Sequence, residues 1–208
     1  MNKIKRFVNK NIKWIIFSLS MLIFLILLVT IIRHDEIALD NVVADYVRSI
    51  RSDTLTSIFK YITFFGNTPM VAGMTFLMMV LVKKWKSKFC IFFNVIFVVV
   101  LNNLIKIIIS RPRPIFEVMN ETGFSFPSGH AMIAVGFYGF VIYFVWKFVK
   151  NNNLKWLYTI LLGFLILGIC ISRIYLGVHY TTDVIAGSFL SLAYLIVYTR
   201  VIKKKKIL

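Results

Sequence analysis

Eight residues of this 208-residue chain combine types and spacings suited to handling a phosphate group. They are Lys106 and Arg113 in "KIIISRPRP", Ser128, Gly129 and His130 in "FPSGH", and Arg173, His179 and Asp183 in "SRIYLGVHYTTD". A lysine with arginines makes a receptor for a di- or trianionic group, because guanidinium forks match phosphate oxygens. The backbone N–H groups of Ser128 and Gly129, at a predicted helix start, add donors and the positive end of a helix dipole. Gly129 also lacks the side chain that would hold a phosphate away from that backbone. His179 and Asp183 are four apart, so a helix would place them on one face, where the carboxylate fixes the imidazole tautomer. An imidazole so held serves as nucleophile or base. His130 offers a second imidazole, as general acid for a leaving oxygen. Positioning, charge neutralisation, a nucleophile and an acid are the parts that phosphoryl transfer requires.

Each piece alone has an ordinary explanation. A lysine near a helix end snorkels to the interface, "RPRP" is a stiff loop, Ser128 is a helix N-cap and Asp183 caps the helix that follows it. What argues for a site is that three separate connections bring these groups to one depth. Two histidines and an aspartate could in principle hold zinc, but the lysine and arginines beside them repel a cation, so no metal or other cofactor is expected. His34, the third histidine, reads as a solvated loop residue.

The elements that must position these residues are membrane helices. The chain is 59% hydrophobic, against about 45–50% in an ordinary soluble domain. Six stretches approach the roughly 20 apolar residues that cross a bilayer: Trp14–Ile32, Tyr61–Val82, Phe89–Ile109, Ala131–Phe148, Trp156–Ile171 and Val184–Ile202. The second is interrupted by Gly66, Asn67, Thr68 and Pro69. The net charge of +17 does not indicate nucleic acid, because of where it lies. Segments 1–13, 83–88, 147–155 and 200–208 hold five, four, three and five Lys or Arg and no acidic residue. The other eight basic residues and all eight acids fall at the opposite ends of the spans. This is the positive-inside pattern of an N-in, C-in protein whose basic face meets anionic lipid.

The first apolar run is too long for a cleaved signal and is expected to be a retained anchor. Cys90 and Cys170 lie near opposite ends of their spans and are expected to be packing residues, not a bridge. In the outer loop 33–60, Leu39, Val42, Val43, Tyr46, Val47 and Ile50 recur at helical spacing. They predict a helix that lies on the outer membrane surface or caps the bundle. The fold expected is therefore all-α and polytopic: six transmembrane helices plus an outer interfacial helix, in one domain over 1–208.

With these residues in place, the chain resembles the type 2 phosphatidic acid phosphatase superfamily. Lys106 with Arg113-Pro114 matches K-x6-R-P, residues 127–130 match P-S-G-H, and residues 172–183 match S-R-x5-H-x3-D, in the family's order. The resemblance implies that His179 is a nucleophile forming a phosphohistidine, Asp183 its orienting partner and His130 the acid for the leaving group. Lys106, Arg113, Arg173, Ser128 and Gly129 would hold phosphoryl oxygens without a metal. It also implies a lipid phosphate substrate: undecaprenyl diphosphate, phosphatidylglycerol phosphate or phosphatidic acid, met at the outer face of a plasma membrane. Arg111 is an extra cation that the motifs do not define. The soluble vanadium haloperoxidases share a similar pocket, but six apolar spans argue against that branch. A phosphotransferase of the same superfamily would pass the phosphoryl group to another acceptor. A phosphate or lipid transporter would need ionisable groups near midplane or broken helices, whereas only Asn94, Asn102 and Asn103 sit inside a span.

Overall fold

The computed structural model describes residues 3–34, 37–205 and 207; Asp35, Glu36 and Lys206, counted in the charge pattern above, lie outside the described residues, as do the side chains of 3–10. Among the described residues all regular structure is helical. The order is α1 (Lys3–Arg33), α2 (Ala38–Ser49), α3 (Asp53–Phe64), α4 (Thr68–Leu81), α5 (Trp85–Ile109), α6 (Gly129–Ile133), a π-helical segment (Ala134–Tyr138), α7 (Gly139–Phe148), α8 (Asn152–Tyr175) and α9 (Thr181–Lys204).

Among the described residues, five helices are long and apolar enough to cross a membrane: Asn11–Arg33 within α1, α5, the continuous helix Gly129–Phe148, α8 and α9. Their outward faces are apolar, as lipid contact requires: Leu22, Leu25 and Ile26 on α1 and Leu161, Phe164 and Leu167 on α8 are all exposed. Together they make the chain a multi-pass membrane protein.

The expected second span, Tyr61–Val82, is not one continuous helix, and it breaks at the interruption over residues 66–69. α3 and α4 are two helices bent by 42° at residues 65–67, and α3 begins at Asp53, inside what reads as outer loop. Ser52 caps α3, its hydroxyl accepting from Leu55 N at 3.3 Å, and Pro69 sits in the first turn of α4, where its missing N–H costs nothing. The backbone at the bend stays satisfied: Gly66 N donates to Thr63 O and Asn67 N to Phe64 O, while Tyr138 Oη donates to Phe65 O at 2.6 Å. A break in an apolar helix is stable only when its carbonyls find such partners.

The predicted outer helix exists as α2, with its apolar residues divided between two faces. Val47, Ala44 and Asp40 are buried against α8 and α9, whereas Leu39, Val42, Tyr46 and Ile50 are exposed. α2 thus caps the bundle and presents an apolar stripe outward.

The helix of the P-S-G-H segment is held by close approach. A Cβ on Gly136 would come within 2.7 Å of Val98 and 2.8 Å of Ser191. The π-helical turn there leaves Gly136 O to accept from Asn94 Nδ2 at 3.0 Å. α5 ends where Ser110 adopts φ 52° and Pro112 and Pro114 follow, which turns the chain into the connection over 110–128. Cys90 and Cys170 are both free thiols, Cys90 buried among aromatic side chains.

Candidate active site

His179 and Asp183 meet, but not on one helical face. His179 precedes α9; Tyr180, with extended backbone (φ −69°, ψ 154°), is the N-cap, and Asp183 lies in the first turn. Asp183 Oδ2 accepts from Tyr180 N at 3.0 Å, and the same oxygen faces His179 Nδ1 at 3.5 Å. The pairing is therefore a product of helix capping, which folds the chain back over its own first turn. His179 is 3% exposed, and Nδ1 makes no closer hydrogen bond. Burial, then the positive charges of Arg173, Arg113 and Lys106, holds its pKa well below the ordinary histidine value, with Glu121 opposing. These surroundings disfavour the protonated form of the His179 ring.

The three motif cations surround it. Lys106 Nζ donates to Phe124 O at 2.7 Å, and Arg113 donates to Gly123 O, Thr122 O and Val178 O at 2.8–3.0 Å. Arg173 is wholly buried; its Nη1 donates to Thr63 Oγ1 at 2.8 Å and its Nη2 to Glu121 Oε1. Arg173 Nε has no partner among the described residues. Glu121 also lies 3.9 Å from Arg113. Burial works to raise its pKa, but the charge and hydrogen bond of Arg173, then the charge of Arg113, outweigh it and lower the net value. A carboxylate favoured in its ionised form thus sits on the guanidiniums near His179.

The P-S-G-H segment is tied into the bundle on two sides. Ser128 N donates to Asp183 O at 3.2 Å, so this N–H ties the fourth motif helix to α9 and is not free for an anion. Its hydroxyl caps the helix, accepting from Ala131 N at 3.4 Å. A Cβ on Gly129 would meet Asn102 Oδ1 at 3.0 Å, so the glycine allows close packing against α5. Asn102 in turn donates to Pro127 O at 3.0 Å.

His130 lies within electrostatic reach of Arg173, His179, Lys106 and Arg113, so all eight residues read from the sequence gather at one place. Its Nε2 is 2.6 Å from Asn67 Oδ1, at the α3–α4 bend. With the amide oxygen facing the ring, Nε2 donates, and Nδ1 is left on the opposite edge. Gly66 makes room: a Cβ there would lie 2.7 Å from His130 Cδ2. Arg111 is engaged beneath the site, its Nη1 donating to Asp183 Oδ1 at 2.6 Å. Asn67, Thr63 and Glu121 were not among the residues singled out by type. The interruption at 66–69 was the one local sign of Asn67.

The PAP2 superfamily profile matches residues 87–207, more than half of the chain. The chain belongs to the PAP2 superfamily. Among curated PAP2 relatives, phosphatidylglycerophosphatase B of Bacillus subtilis (strain 168) is 42% identical over 95 residues, which are 44% of this chain and 46% of that protein. The match thus spans about half the length of that relative. The fold agrees over a longer stretch. The crystal structure of a transmembrane PAP2-type phosphatidylglycerolphosphate phosphatase from Bacillus subtilis superposes with a TM-score of 0.80 and 29% identity, covering 90% of this chain and 96% of that one. Aquifex aeolicus LpxE shares the fold at a TM-score of 0.64 and 20% identity, over 80% of this PAP2 chain and 98% of its own.

Proposed function

We propose that this protein is a membrane lipid phosphatase that removes a phosphate from a lipid mono- or diphosphate: undecaprenyl diphosphate, phosphatidylglycerol phosphate or phosphatidic acid. The observation that carries this reading is His179, a buried imidazole whose Nδ1 faces the Asp183 carboxylate at 3.5 Å and on which the charges of Lys106, Arg113 and Arg173 act. The activity named in both Bacillus subtilis matches agrees with it. So does an apolar cleft of about 350 Å³ between α4 and α5, lined by Val71, Phe76, Phe92, Val95 and Ile133, which suits a hydrocarbon chain. Thr68 and Ile133 bring its wall next to Asn67 and within one turn of His130.

The chemistry follows from the atoms. The phosphoryl group takes the guanidiniums that Glu121 now occupies, and Lys106 joins them. Nδ1 of His179 faces Asp183, so Nε2 carries the free electron pair. Nε2 attacks phosphorus; the N–P bond forms and the bond from phosphorus to the lipid oxygen breaks. That oxygen takes the Nδ1 proton of His130, which enters this step as an imidazolium with Nε2–H still on Asn67, its charge offset by the bound phosphoryl group, and leaves it as the neutral ring. Asp183 offsets the positive charge on the substituted ring. Water then attacks phosphorus, giving a proton to His130, and the N–P bond breaks to release inorganic phosphate. The three cations neutralise the phosphoryl oxygens, so no step is assigned to a metal.

In the bilayer, we place the site at the outer face with both termini inside, and the α3–α4 pair as a sixth, broken span. The test is phosphate release by purified protein in detergent from those three lipids. His179→Ala should lower turnover by at least ~10³-fold while the protein stays folded. Near-parental turnover in that variant would overturn the reading.

A further inference from the structure

Asp183 is 0% exposed, and neither of its oxygens is free to turn. Oδ2 is fixed by Tyr180 N and faces His179; Oδ1 accepts from Arg111 Nη1 at 2.6 Å. Arg111 is itself 9% exposed and divides its fork. Nη2 donates to Asp40 Oδ2 at 2.9 Å and Nη1 also reaches Thr182 Oγ1 at 2.9 Å, while the guanidinium carbon lies 3.9 Å over the ring of Tyr180. Asp40, in the first turn of α2 and 3% exposed, accepts in addition from Thr182 N at 2.9 Å and from Thr182 Oγ1 at 2.7 Å. A residue 142 positions away in sequence therefore caps the helix that carries Asp183.

The charges in this cluster do not cancel. One guanidinium lies between two buried carboxylates, which leaves one net negative charge beside His179. Had Arg111 paired with Asp183 alone, the couple would be neutral and would stabilise a positively charged ring poorly. Without Arg111, a carboxylate this deep would be costly to keep ionised. Burial disfavours the charge on Arg111 too, but Asp183 and then Asp40 outweigh it and raise its pKa.

We propose that Arg111 and Asp40 are positioning residues for the phosphoryl-transfer reaction: they fix the rotamer and the charge of Asp183 and, through it, hold the His179 proton on Nδ1 and the free pair on Nε2. α2 is by this account part of the catalytic apparatus, although it carries none of the three motifs. The inference rests on His179 being the nucleophile.

The experiment has two arms, in full-length protein in detergent. In the first, Arg111→Ala and Asp40→Asn lower kcat on the preferred lipid phosphate by about 10- to 100-fold, the range seen for outer-layer partners of catalytic ligands, and leave KM unchanged. Free guanidinium partly restores Arg111→Ala, whereas Arg111→Lys stays impaired because a point charge cannot serve two carboxylates. Arg111→Ala adds nothing in an Asp183→Asn background, since the effect passes through Asp183. Parental kcat in both variants, a rise in KM alone, or additive losses would each overturn the proposal. The second arm needs no turnover. The chain has three histidines, so side-chain 15N spectra of labelled protein, assigned with His179→Gln, report the His179 tautomer directly. The parent should hold Nδ1–H and Arg111→Ala a mixture of tautomers; an unchanged spectrum counts against the relay. An inactive parent with the expected spectra would instead defeat the phosphatase reading alone. Asp40→Asn, nearly isosteric, is the variant to use should Arg111→Ala fail to fold.

Discussion

At the scale of single residues, the acid role proposed for His130 should separate two kinds of leaving group. Hydrolysis of a lipid monophosphate expels an alkoxide, with a proton affinity like that of hydroxide, the conjugate base of water with a pKa of about 15.7. A diphosphate expels a lipid monophosphate, whose second pKa near ~6 lets it depart almost unassisted. General acid catalysis is worth about 10²- to 10⁴-fold, so His130→Gln should lose that much on phosphatidic acid and considerably less on undecaprenyl diphosphate. Equal losses would leave His130 a phosphate ligand or a helix-start residue. Glu121 supplies a second test. Its carboxylate occupies guanidinium donors that an oxyanion needs, so Glu121→Gln should tighten inhibition by vanadate, and an unchanged inhibition constant would show that the two do not compete. The depressed pKa of His179 has a sign that can be checked. The unfolded chain takes up a proton near ~6.5 that the folded chain refuses, so this residue's contribution is fully present above that pH and is lost as the pH falls below it. His179→Gln should therefore reduce the drop in thermal midpoint on acidification. The motif residues could be found from the chain because their types are unusual between apolar runs. Glu121 could not, since one glutamate in a polar loop looks like any solvated charge until Arg173 is seen to face it.

At the scale of elements, the bend between α3 and α4 joins the fold to the chemistry. It delivers Asn67 to His130, and it does so because Gly66 leaves space for the ring. Gly66→Ala would put a Cβ 2.7 Å from His130 Cδ2 and 2.9 Å from Ile169 Cγ2. Displacing a catalytic group by about 1 Å can lower turnover up to about 10²-fold, and kcat should fall accordingly. Gly73→Ala, one turn into α4 with open space around its Cβ, is the control: it should keep parental turnover and gain about 0.5–1 kcal/mol of stability from the better helix former. In the sequence, Gly66-Asn67-Thr68-Pro69 reads only as an interruption in an apolar run. Turn chemistry is local, whereas the contact that gives it meaning joins residues 63 positions apart. The start of α3 was hidden for a different reason: residues 53–60 are too polar to count toward a span, although Ser52 and Asp53 are an ordinary capping pair. α2 was legible as a helix, but the residue that anchors it, Asp40, carries the charge that a surface reading assigns to solvent.

At the scale of the whole molecule, the charge pattern predicts which way the bundle faces. With Cys90 and Cys170 replaced by alanine, Thr122→Cys should react with an impermeant thiol reagent in intact cells, and Lys204→Cys should not. The reverse labelling would turn the protein over and move substrate capture to the inner leaflet. The matched family segment, 87–207, contains all three motifs, yet Asp40, Thr63 and Asn67 all come before it. Each bonds a motif residue or the arginine behind one. α2 and the α3–α4 pair are thus not interchangeable membrane padding. A chimaera that keeps residues 85–208 and borrows the first 84 from another superfamily member would retain every signature residue. It should nonetheless be inert unless the donor happens to present a carboxylate, a hydroxyl and an amide at those three places. The unit of inheritance for this activity is accordingly larger than the motifs by which it is recognised.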